Sequence, residues 1–153
     1  MIFLFDTSSL AYGIIIQMIK GGIVMKIIRK NPENVAPPVG SYSHLTILPK
    51  DMDILVLSGQ IGADREGNIP VEVEEQLRNA FNNITSILSS EGITSEEVIK
   101  INIWLTVSID RAQFTSIWNE FHKGNPPSTT FAYVSALAQP ALKVEVEAWA
   151  ARP

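Results

Sequence analysis

Asn125-Pro126-Pro127-Ser128-Thr129-Thr130-Phe131-Ala132-Tyr133-Val134 and, after a break at Gln139-Pro140, Lys143-Val144-Glu145-Val146-Glu147-Ala148-Trp149-Ala150 read as two β-strands joined by a proline-marked connection. In the second, Lys143, Glu145 and Glu147 alternate strictly with Val144, Val146 and Ala148, the period of two of a half-buried strand. Pro126 and Pro127 lead into the first, because proline and the residue before it favour extended backbone. A small-molecule site in this protein would take the stretch as one of its walls.

Upstream, the clearest helix is expected over 72–90, where Val73, Leu77, Phe81, Ile84 and Leu88 form one apolar stripe and acidic residues crowd the first turns. Residues 98–107 read as a long strand, with Lys100, Asn102 and Trp104 on one side and Ile99, Ile101, Ile103 and Leu105 on the other. A second helix is expected over 111–122, with Asp110 as its N-cap and Phe114, Ile117, Trp118 and Phe121 on its buried face. Residues 25–29, 42–48 and 53–58 read as three strands of an antiparallel meander. The third, Asp53 to Ser58, is nearly continuous in apolar residues and is expected to be buried on both faces, ending at Gly59 and Gly62. This order predicts an α+β fold: one mixed sheet with two helices packed on one face. The other face would then need cover from further copies of the chain, in a homo-oligomer.

The 153 residues fit one domain, and 46% hydrophobic content is enough for a core. A net charge of −4 with no Lys/Arg run argues against nucleic acid as a partner. The absence of cysteine excludes disulfides and thiolate chemistry, and is compatible with a cytoplasmic location. His44 and His122 have no partner at metal-ligand spacing and read as surface histidines, so no metal site is expected. The apolar runs before Val24 fall short of the ~20 residues that span a membrane. Lys20-Gly21-Gly22 is what a purine-rich ribosome-binding site would encode if translated, and Met25 follows at suitable spacing. Residues 1–24 are therefore expected to be a mis-annotated or disordered extension and 25–153 the single domain; amino-terminal sequencing of native protein that finds Met1 would refute this.

Several segments in register resemble one family. They are Ala36-Pro37-Pro38-Val39-Gly40-Ser41-Tyr42-Ser43; Leu57-Ser58-Gly59-Gln60-Ile61 with Asp64 and Gly67; Gln76-x-Arg78-x-Ala80-x-x-Asn83-Ile84; Val98-x-Lys100-x-Asn102-x-Trp104-Leu105-Thr106; Pro126-Pro127-x-Thr129-Thr130; and Val144-Glu145-Val146-Glu147-Ala148. Together they resemble the YjgF/RidA family, the reactive-intermediate deaminases also known as L-PSP endoribonucleases. The resemblance implies a chorismate-mutase-like α+β fold, a homotrimer with sites in the clefts between subunits, and hydrolysis of reactive enamines and imines to 2-oxo acids and ammonia, with no cofactor or metal.

Carried over residue by residue, the resemblance makes Glu145 the group that positions water and Tyr42 a cleft residue. Ser58, Gly59 and Thr130 line the cleft, and Asn119 stands for an asparagine of the second helix that aligns poorly. The family's arginine, which grips the substrate carboxylate with a bidentate pair, does not carry over, because Ser128 occupies its position. A serine offers one short hydroxyl and no charge. Losing such a grip costs about 2–5 kcal/mol where the site is desolvated, roughly tenfold to thousandfold or more in binding. Lys123, Arg111 and Arg152 are the candidate substitutes. The readings that follow are a deaminase-like hydrolase of altered specificity acting on a 2-imino or related acid, a non-catalytic metabolite-binding or regulatory trimer, and, disfavoured by the acidic balance, an endoribonuclease.

Overall fold

The computed structural model describes residues 26–153 and the backbone of two short strands, β1 (Gln17–Ile19) and β2 (Gly22–Val24), which pair antiparallel with each other. Residues 1–16, 20, 21 and 25 lie outside the described residues, and most of the expected extension before Met25 lies with them.

The centre of the fold is a four-stranded mixed sheet. Its strands are β5 (Asp53–Ile61), β8 (Val144–Arg152), β6 (Val98–Leu105) and β7 (Ser128–Tyr133), in that spatial order. β8 runs antiparallel to both neighbours, and β6–β7 is the one parallel pair of this sheet. A parallel pair needs a crossover, and helix α2 (Arg111–His122) supplies it, capped as expected by the Asp110 side chain accepting from the Gln113 amide.

The strict alternation of β8 is realised in full over residues 144–148. Val144, Val146 and Ala148 are buried on the helix side, joined by Ile101, Ile103 and Leu105 of β6. Helix α1 (Val73–Ser90) lays Leu77, Phe81, Ile84 and Leu88 on them, and α2 adds Ile117, Trp118 and Phe121. Both helices therefore cover one face.

Family-motif residues tie α1 to the end of β5. Gln76 is wholly buried; its Nε2 donates to Pro70 O (2.8 Å) and Ala141 O (3.0 Å), and its Oε1 accepts from the Lys143 amide (2.8 Å). Asn83 Nδ2 donates to Ala63 O at 3.0 Å. Gly62 lets the helix approach, since a Cβ there would lie 2.4 Å from the Gln76 Cα.

Three expectations need correction. First, β3 (Ile28–Lys30) and β4 (Leu45–Ile47) pair only with each other, so there is no meander into β5. The turn at 49–52, where Asp51 takes a φ of 68°, separates β4 from β5, and all the pairing of β5 goes to β8. Secondly, β5 is not buried on both faces: Leu57 is buried against the helices, whereas Val56 is 71% and Ile54 50% exposed. Its apolar run reflects an uncovered face, not two covered ones. Thirdly, β5 does not end at Ser58 but continues to Ile61 through an irregularity between Leu57 and Gln60 that contains Gly59.

The β3–β4 hairpin covers one end of the sheet face opposite the helices. There Ile27, Ile99 and Ala151 are buried together with Leu48 and Met52 packed on them. Arg29 fastens it, with Nη2 donating to Val98 O (2.6 Å) and Glu96 O (2.8 Å).

Candidate functional site

The face opposite the helices carries cross-strand rows set by the register. One row holds Ser128 on β7, Lys100 on β6, Trp149 on β8 and Val56 on β5. The next holds Thr130, Asn102 and Glu147, and a third holds Ala132, Trp104 and Glu145. Side chains two residues apart on a strand share a face, so the candidate residues of β7 and β8 point to the same side.

Glu145 and Ser58-Gly59 come together. The Glu145 carboxylate lies over the Gly59 Cα, at a place where a Cβ would stand 2.0 Å from Oε1. Only glycine leaves room for it. Glu145 itself is half-buried.

Ser128 joins a second group at the start of β7. Its Oγ is 2.9 Å from Thr46 Oγ1 of the hairpin. The Ser43 amide donates to Pro127 O (3.1 Å) and its hydroxyl to Pro126 O (2.9 Å), so the segment holding Tyr42 is laced to the start of β7. Trp118 Nε1 reaches through from α2 to donate to Ser41 O at 2.7 Å. The Tyr42 ring stands edge-on to His44, centroids 5.3 Å apart.

Beside Ser128 is a cleft of about 350 Å³ between the hairpin and the sheet, lined by His44, Thr46, Lys100, Asn102, Ser128 and Trp149 among others. Lys100 is the cation of this cleft. Its Nζ donates to Thr130 Oγ1 at 2.5 Å, and among the described residues it makes no ion pair. Burial pulls its pKa below the ordinary lysine value, and the nearby Glu147 carboxylate partly opposes this. Asn102 Nδ2 donates to Glu147 Oε1, which fixes that carboxylate in the middle row.

Other expected residues lie elsewhere. Asn119 faces His122, with its Oδ1 3.0 Å from His122 Nε2, on the helix layer and not in the cleft. His122 is not a surface histidine: it is 4% exposed and packs against Trp118. The three cations expected to replace the arginine do not reach Ser128. Arg152 pairs with Glu91 at 2.7 Å, Lys123 caps the C-terminus of α2, and Arg111 is exposed at the opposite end of that helix. Lys100 was the residue the sequence concealed. Its signal was there, since it sits on the polar side of a strand whose parallel partner begins at Ser128, but that register is not readable from one chain. Among the described residues no group of three or more His, Cys, Asp or Glu is placed to hold a metal, and no helix is long and apolar enough to cross a membrane.

The sequence profile of the family described as Endoribonuclease L-PSP matches residues 33–152. The chain belongs to this family, the YjgF/RidA family. Among its relatives, a RutC family protein of Buchnera aphidicola subsp. Schizaphis graminum is 31% identical over 125 residues, covering 78% of this chain and 94% of the relative. The 2-iminobutanoate/2-iminopropanoate deaminase of Rattus norvegicus is 27% identical over 128 residues, covering 82% of this chain and 89% of that one. Among solved structures, YyfB of the conserved Rid protein family from Yersinia pestis superposes with a TM-score of 0.70 at 25% identity, covering 82% of this chain and 98% of that chain. E. coli TdcF with bound serine gives 0.60 at 26% identity, covering 76% and 91%. The YjgF/RidA fold is thus present with two helices on a mixed sheet.

Proposed function

We propose that this YjgF/RidA protein is an enamine/imine deaminase-like hydrolase of altered specificity, acting on a small 2-imino or related acid in clefts between the copies of a cytoplasmic homotrimer. The observation that carries the reading is the Glu145 carboxylate seated on Gly59 beside Ser58. A half-buried carboxylate held in one position is suited to orienting a water and taking its proton. Water adds to the imine carbon, a proton passes to the amino nitrogen, and ammonia leaves as the carbonyl forms.

Two further facts support the assembly. Val56 and Ile54 leave an apolar strip exposed on the sheet, which a second copy would cover. Trp149, in the Ser128 row, lies four residues along β8 from Glu145, about 14 Å at ~3.4 Å per residue. Within one copy the two groups are therefore too far apart to hold one small ligand, and groups contributed by neighbouring copies would complete each site. The serine bound to TdcF and the activity in the name of the rat relative favour a small amino-acid-derived ligand.

A second reading, a non-catalytic metabolite-binding or regulatory trimer, is favoured by Ser128, whose hydroxyl is engaged by Thr46. An endoribonuclease is disfavoured by the net charge of −4.

The test is ammonia release from freshly generated 2-iminopropanoate by the parent protein, Glu145→Gln and Ser128→Arg. Turnover by the parent that falls at least a hundredfold in Glu145→Gln bears the hydrolase reading out. Turnover that appears only in Ser128→Arg means that the missing arginine alone redirected an intact cleft. No turnover in any of the three refutes the hydrolase and leaves the binding trimer.

A further inference from the structure

Lys100 is the cation of the cleft beside Ser128. Its ammonium is partly desolvated, makes no ion pair among the described residues, and has one of its three protons committed, to Thr130 Oγ1 at 2.5 Å. The ammonium is half-buried, has Glu147 as a nearby carboxylate outside ion-pair distance, and faces open space. The space is the 350 Å³ cleft whose walls include the Thr46–Ser128 hydroxyl pair, 2.9 Å apart, and the half-exposed Trp149. The hydroxyl pair shares one hydrogen bond, so one of its two protons is free to donate outward.

The backbone places the lysine there. The register of β6 against β8 shifts between Val98 and Lys100. Such a bulge re-aims side chains: Ile99 is turned under the hairpin with Ile27 and Ala151 and lines the cleft beside Lys100, which stands opposite Ser128.

We propose that Lys100, with the Thr46–Ser128 hydroxyl pair, binds the carboxylate of a small monocarboxylic acid whose apolar end lies against the Trp149 indole. The charge balance selects the class. One ammonium faces the cleft with Glu147 close behind it, its carboxylate held by Asn102. That arrangement suits a monoanion, whereas a phosphate dianion or a dicarboxylate would meet Glu147 without a second cation. The proposal rests on the hydrolase reading for the identity of the acid and deepens it, since Lys100 would hold the carboxylate end of the imino acid and of its 2-oxo product.

Titration calorimetry of the full chain with pyruvate, and with the neutral pyruvamide as control, tests it. Pyruvate is expected to bind saturably and pyruvamide not to bind. Lys100→Gln is expected to weaken pyruvate at least tenfold, and Lys100→Arg to retain it within a few-fold. Equal binding of acid and amide overturns the proposal, as does undiminished binding in Lys100→Gln. If Lys100→Gln fails to fold, the parent protein decides: pyruvate must shift the Trp149 indole N–H resonance and pyruvamide must leave it in place, and the reverse overturns the proposal. Binding is read without turnover, so the two readings fail separately. Pyruvate binding lost in Lys100→Gln in a protein that releases no ammonia sustains the lysine site alone, whereas ammonia release with an unchanged KM in Lys100→Gln sustains the hydrolase alone.

Discussion

The Glu145 carboxylate occupies the space that a Gly59 side chain would need, with Oε1 2.0 Å from the position of the missing Cβ. Glycine at 59 and glutamate at 145 are therefore one device. Gly59→Ala would push the far end of a flexible side chain and not the backbone, so the protein is expected to fold with a Tm within a few degrees of the parent. Its Glu145-dependent turnover is expected to fall about tenfold to a hundredfold, as happens when a catalytic group is misplaced by about 1 Å. Thermal melts and ammonia release on the same sample check this; an unimpaired Gly59→Ala would show that the seat is not needed.

Gly62 meets its neighbour differently, because a Cβ there runs into the Gln76 backbone as well as its side chain. Gly62→Ala is expected to cost about 1–3 kcal/mol of stability through overpacking. Gln76→Leu is expected to cost about 2–5 kcal/mol, since it strands the carbonyls of Pro70 and Ala141 and the amide of Lys143. Urea unfolding gives both values, and a change under 0.5 kcal/mol in either would contradict the packing described.

His122 makes stability depend on pH. The Gly124 amide donates to Nδ1 at 3.0 Å, so the buried ring is neutral with its proton on Nε2, directed at Asn119 Oδ1. Burial lowers its pKa in the fold below the unfolded value of about 6.5. Above pH 6.5 neither state holds the extra proton and stability is full. Below it the unfolded chain takes up a proton that the fold resists, so stability declines as pH falls through the folded pKa. Urea midpoints between pH 7.5 and 5 are expected to fall with an unchanged m-value, and the fall to be smaller in His122→Gln. An equal fall in the variant would assign the dependence to other groups.

Much of this was written in the side-chain periodicity. The stripe of α1, the span of α2 and its Asp110 cap, and the alternation of β8 are local patterns, and local patterns survive into the structure. The partners of strands are not local. Three short strands in succession read as a meander, yet β5 pairs with a strand some ninety residues further on. An apolar run such as 53–58 says that both sides are greasy, not that both are covered. At the site, a family motif points to Glu145 and Ser58-Gly59, and the structure places the Glu145 carboxylate against Gly59. Asn119, which the motif aligned poorly, pairs with His122 on the helix layer. Lys100 was overlooked because its meaning comes from two neighbours, Ser128 and Thr130, contributed by a strand on the far side of a helical crossover.

The position of β8 has a consequence for synthesis. It is the last strand in the chain, yet it lies between β5 and β6 and is the sole partner of β5 in the central sheet. Before β8 is made, β5 has no partner in the central sheet, and α1 and α2 have only the β6 residues Ile101, Ile103 and Leu105 of the two middle strands to pack against. The β5–β8 pairing is therefore a contact of high sequence separation that can close only once β8 has been made. Until then, Ile54 to Leu57 is an unprotected β-prone segment, and this is the interval in which a chaperone would matter most.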